Sequence, residues 1–441
     1  MLEKIKFIHA ADIHLGHKQY NSDERFRDFN RAFDKVLETA LSENVDFVLI
    51  AGDLFNDNEV LPETMANVYS TLVAFHKRAG YKIPIIAIEG NHDTKSYGML
   101  RSWMQFLAEL NQIILLDARW DDNGAPVFDD YDPARHRGGR IKIKDAFIYG
   151  MRYQIGDMNL LYQRIKRAIP PGAFNILAMH FGMQGEVAKE TGVYYSKELD
   201  SLKDVVDYLA LGHFHKQYQL YEWIHNPGSI EAHEAPEYDQ PHGVFIVTAD
   251  GKGPSCINVK PVAIPGRRFV NVQLHVGESK LDSWDATKGS VTSTIVKLLK
   301  KRDPAKPVDF TNLDVPVVNI TLSGTISYSR LEMDVKGLEA DIMRDFEVLK
   351  VRVSNNVTEK SEGLILDPNN ALTLKELEKK AFEKIIENEP SYAGSAIAIS
   401  SLMAELKTAV LAATSSSADA AEQLKKWWID NRAQLRRAKK A

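Results

Sequence analysis

The sequence predicts an α/β fold whose core has four layers, α-β-β-α, followed by a small second α/β domain and a helical C-terminal segment. Three observations carry this. Residues 5–110 alternate short apolar runs with helix-period segments, which implies a mostly parallel sheet covered by helices. Between 173 and 262 the strand-like runs follow one another closely, several at hairpin spacing, which adds a second sheet. Breaks bearing Pro and Gly, at PVAIPGRRF (261–269) and ILDPNN (365–370), then divide the chain.

IKFIHAA (5–11) reads as a buried strand. Phe26, Phe29, Phe33, Val36, Leu37 and Ala40 recur at helical spacing over 23–43. VDFVLIA (45–51) is the next strand, and PETMANVYSTLVAF (62–75) the next helix, with Pro62 near its first turn. IPIIAIE (83–89) and GMLRSWMQFLAEL (98–110) repeat the strand–helix pair. FNILAMH, VDYLALG, KQYQLYEWI, GVFIVTA and CINVKPV supply the second sheet and complete a domain over 1–262. FVNVQLHV, a helix near 287–302, VPVVNITLSG, a helix near 330–343 and VLKVRVSN make a small α/β domain over 266–360. The stretch 371–441 is rich in Ala, Lys and Glu and reads as helical, broken by ATSSSAD (413–419).

The 441 residues are 44% hydrophobic and carry a formal net charge of -5. This suits a globular protein and excludes nucleic-acid binding by overall positive charge, so any such surface is local. Cys256 is the single cysteine, which excludes an intramolecular disulfide and a cysteine-built zinc knuckle. MLEKIKFIHAAD has no signal-peptide pattern, and no run of about 18 apolar residues occurs, so a cytosolic protein is expected.

The residues at the strand ends are the informative ones. IHAADIHLG places Asp12 and His14 after the first strand, and VLIAGD places Asp53 after the second. IIAIEGNHD places Asn91, His92 and Asp93 after the third, ILAMHFG adds His180, and YLALGHFH adds His213 and His215. Ligands of α/β sheets bind outside the carboxyl ends of strands, so these residues converge on one site. Imidazoles, carboxylates and an amide oxygen, without a thiolate, suit a divalent ion such as Mn, Fe or Zn. They are too many for one tetrahedral site and enough for a two-ion hydrolase centre. Singly, each is weak, since a lone buried His is usually a hydrogen-bonded core residue. The ordered set D-x-H, GD, GNHD, H, G-H-x-H is the signal.

That set resembles the calcineurin-like metallophosphoesterase superfamily. The resemblance implies that Asp12, His14, Asp53 and His215 hold one metal ion. It implies that Asp53, Asn91, His180 and His213 hold a second, with Asp53 shared. It assigns His92 to the phosphate and to proton donation toward the leaving oxygen, and Asp93 to loop capping or support of the ligands. ADIHLG, AGDLF, EGNHD and GHFHK narrow the resemblance to the SbcD or meiotic-recombination-eleven family of DNA double-strand-break repair nucleases, archaeal members above all.

The family implies two divalent ions per subunit, manganese first, and 3′–5′ exonuclease action on duplex ends with endonuclease action on single strands and hairpins. It implies a DNA-binding cap at 266–360 and a docking segment at 371–441 for a coiled-coil ABC-type ATPase. Ile399, Leu402, Met403, Leu406 and Val410 form one apolar stripe in that segment, and Leu424, Trp427, Trp428 and Leu435 another. It also implies a homodimer joined by the helices at 62–79 and 98–110, whose apolar residues Val68, Leu72, Trp103 and Leu107 read first as plain core, with dimer contact as the alternative. Lys18, Tyr20 and Arg25 lie where a substrate strand could pass. The site of action it implies is a prokaryotic cytosol, at the nucleoid.

Two other readings stay open. One is a phosphatase or nucleotide phosphodiesterase on the same fold, although GDLFNDN lacks the Arg of the GDxxDRG string typical of serine/threonine phosphatases. The other is a DNA-end-binding scaffold with weak nuclease activity, which Asn56 keeps open. The resembling nucleases commonly carry His or an acid at that position. An amide can orient His92 or the phosphate but gives an imidazolium no charge partner, so weaker exonuclease than endonuclease activity is expected.

Overall fold

The computed structural model describes residues 3–95, 98–187, 192–276, 281–304, 306–360 and 374–387, with scattered positions between 396 and 429. Met1–Gly324 and Leu331–Val357 form one compact unit, and Thr325–Arg330 with Thr358–Ala441 a second. No helix among the described residues is long and apolar enough to cross a membrane.

Strands β1 (Ile5–Ala10), β2 (Phe47–Ala51), β3 (Ile85–Ile88) and β4 (Ile114–Leu115) are parallel. They alternate with helices α1 (Asp23–Glu43), α2 (Pro62–Arg78) and α3 (Trp103–Glu109). After a short hairpin, β5 (Arg119–Trp120) and β6 (Pro126–Val127), come β7 (Arg140–Ile143), β8 (Ala146–Gly150), α4 (Met158–Ala168) and β9 (Phe174–His180). The one-turn α5 (Lys197–Asp200), β10 (Tyr208–Gly212), β11 (Tyr218–Leu220), β12 (Ile224–Asn226), β13 (Gly243–Ala249) and β14 (Ile257–Ala263) follow. One sheet has the order β14-β13-β1-β2-β3-β4, the other β11-β12-β10-β9-β8-β7.

The period of two along each strand builds the layers. Ile5 and Phe7 of β1 meet Ile148, Phe174 and Ile176 of the opposing sheet in a buried cluster between the sheets. The alternate residues Ile8 and Ala10 face the other way, onto Phe33, Val36 and Leu72 of α1 and α2. A third cluster packs α4 and its neighbours on the outer face of the second sheet through Leu161, Tyr162 and Ile165. The predicted α-β-β-α order is therefore the observed one. Both sheets aim the carboxyl ends of β1, β2, β3, β9 and β10 at one edge.

A separate, three-stranded sheet has the order β15 (Phe269–Val276), β16 (Val317–Ile326), β17 (Lys350–Glu359), with α6 (Trp284–Leu298) and α7 (Val335–Asp345) in the crossovers. Further on, α8 (Leu374–Glu387) is helical as the composition predicts. Most of the two tail stripes, including Leu402, Leu406, Val410, Leu424, Trp427, Trp428 and Leu435, lies outside the described residues.

Three expectations change. The helix expected over 98–110 begins at Trp103, because Ser102 and Gln105 close a capping box at its start. KQYQLYEWI is two strands, not one, since Tyr221 and Glu222 take φ of 51° and 64° and turn the chain between β11 and β12. Val68, Leu72 and Leu107 are buried in the subunit's own core, as their first reading has it. Tyr69 and Phe106 are the exposed aromatic groups on those helices.

The third concerns Arg25, expected near a substrate strand. Its side chain is fully buried, where its guanidinium meets Asp28 at 2.8 Å and Glu231 at 3.1 Å. Asp28 in turn accepts from Arg267 at 2.6 and 2.9 Å, and Arg267 also donates to the carbonyls of Phe310, Asn312 and Val315. These buried charges join α1 to the segment that leads into β16.

Candidate metal centre

The loops after β1 and β2 extend the parallel pairing beyond the strands. Amides of Asp12, Ile13, His14 and Leu15 donate to carbonyls of Gly52, Asp53 and Leu54, and Asn56 donates back to Leu15. This zipper places Asp12, His14 and Asp53 side by side. Asp12, His14 and Asp53 take φ of 52°, and His213 takes 90°, an uncommon region for non-glycine residues. Such strain persists only where the surroundings over-determine it, and it gathers at functional sites.

Two glycines make the approach possible. A Cβ on Gly52 would fall 2.3 Å from Nδ1 of His180, and one on Gly90 would fall 2.1 Å from Oδ1 of Asp53. Gly52 also sits at φ 93°, which glycine adopts without steric cost.

The donor atoms fall into two clusters. Asp12, His14 and His215 present ligand atoms all within 4.8 Å of one another, and so do Asp53, His180 and His213. In the first, Nε2 of His14 faces Nε2 of His215 at 3.0 Å. The carboxylate of Asp12 is turned by the amide of His213, at 3.0 and 3.1 Å. In the second, Nε2 of His180 lies 3.1 Å from Oδ2 of Asp53 and 3.1 Å from Oδ1 of Asn91. Nδ1 of His213 reaches the same Asn91 oxygen at 2.9 Å. All seven residues expected to hold metal are therefore together at one edge.

The donor set fits divalent cations. Two ring nitrogens turned on each other, with Nδ1 of His14 buried and unpartnered, are a site that a cation would satisfy better than the protein does. The protein's own charges show the same tension. Burial raises the Asp12 carboxyl to about 6, although His180 and His215 oppose it. Burial opposes the charge of His180, but Asp53 outweighs it and lifts the imidazole to about 9. Burial would raise Asp53, yet His180 holds it well below the usual carboxylate range. Burial, with the charge of His180, lowers His213 to about 4.

His92 stands beside both clusters without joining either. Its ring is 5.1 Å from that of His14, its amide donates to Oδ1 of Asp53 at 2.9 Å, and its Nδ1 donates to the carbonyl of Asn56 at 2.8 Å. Nε2 is left as the ring nitrogen for a substrate. Asp93 is buried and accepts from the amides of Leu54, Phe55 and Gly90, so it caps the loop. Burial, with the nearby charge of Asp53, raises it to about 7.

Asn56 is a correction. Its side chain does not reach His92: Oδ1 accepts from Nε2 of His233 at 2.8 Å, and the backbone carbonyl does the orienting. His233, Glu237 and His17 were not legible as part of the site. His233 stacks on His17 at 4.0 Å and lies 4.5 Å from the ring of His14. The only hint in the sequence is IEAHEAPE, a His and a Glu four residues apart just after the strand-like WIHN.

The profile described as Calcineurin-like phosphoesterase matches residues 5–217, the stretch that supplies every one of these ligands and His92. The DNA double-strand break repair protein Mre11 of Archaeoglobus fulgidus is 30% identical over 248 residues, 53% of this chain and 52% of that protein. Residues 5–217 thus match the calcineurin-like phosphoesterases, and the chain is similar to proteins of the SbcD and meiotic-recombination-eleven branch. The protein of the same name from Methanosarcina mazei is 27% identical over 289 residues, 64% of this chain and 42% of the relative. That from Sulfolobus acidocaldarius is 24% identical over 363 residues, 82% of this chain and 85% of the relative. The matched part of the chain thus spans about half the length of the first two relatives and most of the third.

Proposed function

We propose that this phosphoesterase is a manganese-dependent nuclease that cleaves DNA phosphodiesters, exonucleolytically 3′–5′ on duplex ends and endonucleolytically on single strands and hairpins. The observation that carries this is the pair of neighbouring ligand clusters, Asp12–His14–His215 and Asp53–His180–His213, with His92 beside them. Asp12, His14, Asp53 and His215 would hold one ion, and Asp53, Asn91, His180 and His213 the other. Such a pair supplies Lewis acidity toward phosphate oxygens and lowers the pKa of water. The remaining work falls to the chain. The strained loops hold the donors in place before substrate arrives, and the Asn56 carbonyl turns Nε2 of His92 toward the phosphate, where it gives its proton to the leaving oxygen.

In this reading 266–360 is a DNA-binding cap, 371–441 docks on a coiled-coil ABC-type ATPase, and the chain works as a homodimer at the nucleoid. The exposed faces of α2 and α3, with Tyr69 and Phe106, suit the dimer contact.

Substrate preference tests the function. The purified chain with Mn2+ is expected to degrade linear duplex DNA and to stop on addition of chelator. Rapid release of phosphate from phosphopeptides with DNA left intact would sink the nuclease reading in favour of a phosphatase.

Asn56 bears on the balance of activities. Its side chain meets His233 and its backbone carbonyl meets Nδ1 of His92, so it gives His92 no charged partner, and exonuclease activity is expected to be the weaker one. Asn56→His is expected to raise the exonuclease rate severalfold relative to cleavage of single-stranded circles. An unchanged ratio would remove Asn56 from the explanation.

A further inference from the structure

Imidazoles that ligate metals need one nitrogen free of its proton, and the partner of the other nitrogen decides which. His180 gives Nδ1 to the carbonyl of Ala51 at 2.7 Å. His215 is different: its Nδ1 lies 2.7 Å from Oε1 of Glu237, a carboxylate. Its Nε2 then faces His14 in the first cluster.

Glu237 is itself fixed. Its Oε2 accepts from the amide of His233 at 2.8 Å, and its backbone carbonyl accepts from Nε2 of His242 at 3.0 Å. It closes a single 3-10 turn, Ala235–Glu237, with Pro236 inside. Both carboxylate oxygens are thus committed before any ion arrives. His215, His233 and Glu237 also lie within 4.8 Å of one another. An ion among those three would need Nδ1 of His215 deprotonated while Nε2 serves the first cluster, and a neutral ring cannot offer both nitrogens.

We propose that Glu237 is a positioning residue for the first metal subsite, holding the ring of His215 in place and keeping its proton on Nδ1 so that the Nε2 lone pair faces Asp12 and His14. This rests on the two-ion reading given above. It makes the loop between β12 and β13, which lies outside all five strand-end motifs, a part of the metal centre.

Calorimetric titration of the full chain with Mn2+ tests this. The wild type is expected to bind two ions. Glu237→Ala is expected to weaken one of them by roughly 10- to 100-fold and leave the other unchanged, as loss of a carboxylate behind a ligating His does elsewhere. Glu237→Gln, whose amide oxygen still accepts from Nδ1–H, is expected to recover most of that loss. Two ions bound with wild-type constants in Glu237→Ala would overturn the role of Glu237 and leave the two-ion reading standing. Equal weakening of both ions in both variants would also overturn it, because the effect would then be a general loosening of the site. Fewer than two ions in the wild type would contradict the two-ion reading itself.

Discussion

Asp28→Ala is expected to cost ~3–5 kcal/mol of folding free energy, the cost of leaving buried charges without their partner. Asp28 is fully buried between Arg25 and Arg267, which are also fully buried. Removing the carboxylate leaves Arg25 with Glu231, and leaves Arg267 with backbone carbonyls and a distant Glu24 at 3.8 Å. Chemical denaturation followed by fluorescence measures the loss. The exposed pair Lys35–Glu38 is the control: Glu38→Ala is expected to change stability by no more than about 0.5 kcal/mol. A loss below about 1 kcal/mol for Asp28→Ala would mean that the network carries far less than its burial implies.

His92→Ser is expected to slow cleavage by roughly 10²- to 10⁴-fold, the usual contribution of a positioned acid. Because its ring donates to the Asn56 carbonyl and belongs to neither ligand cluster among the described residues, both ions should remain. Single-turnover cleavage of a labelled duplex, paired with metal analysis of the same sample, separates the two effects. Loss of metal along with activity would move His92 from proton donor to ligand.

The site was legible to the extent that it obeys topology. Parallel strands carry their C-terminal residues to one edge, so Asp12, Asp53, Asn91, His180 and His213 could be grouped from their position after apolar runs alone. Period-two burial made the double sheet readable in the same way. What escaped depends on tertiary meetings without a local trace. Glu24, Arg25 and Asp28 look like the solvated start of an amphipathic helix, and distant partners account for the burial of two of them: Glu231 for Arg25, and Arg267, 239 residues on, for Asp28. His233 and Glu237 come from a loop whose sequence has no metal-ligand spacing. They matter because that loop folds back over His215 and Asn56. Asn56 shows a further limit, since its backbone rather than its side chain meets His92.

The proposed sharing of Asp53 by two ions is the point on which the functional reading depends. Electron paramagnetic resonance of the Mn2+-loaded chain, with the metal counted in the same sample, addresses it directly. The two-ion reading predicts two Mn2+ per chain with a magnetically coupled signal, and loss of that coupling in Asp53→Ala. A single Mn2+ per chain, or two with the spectrum of isolated ions in the wild type, would contradict it.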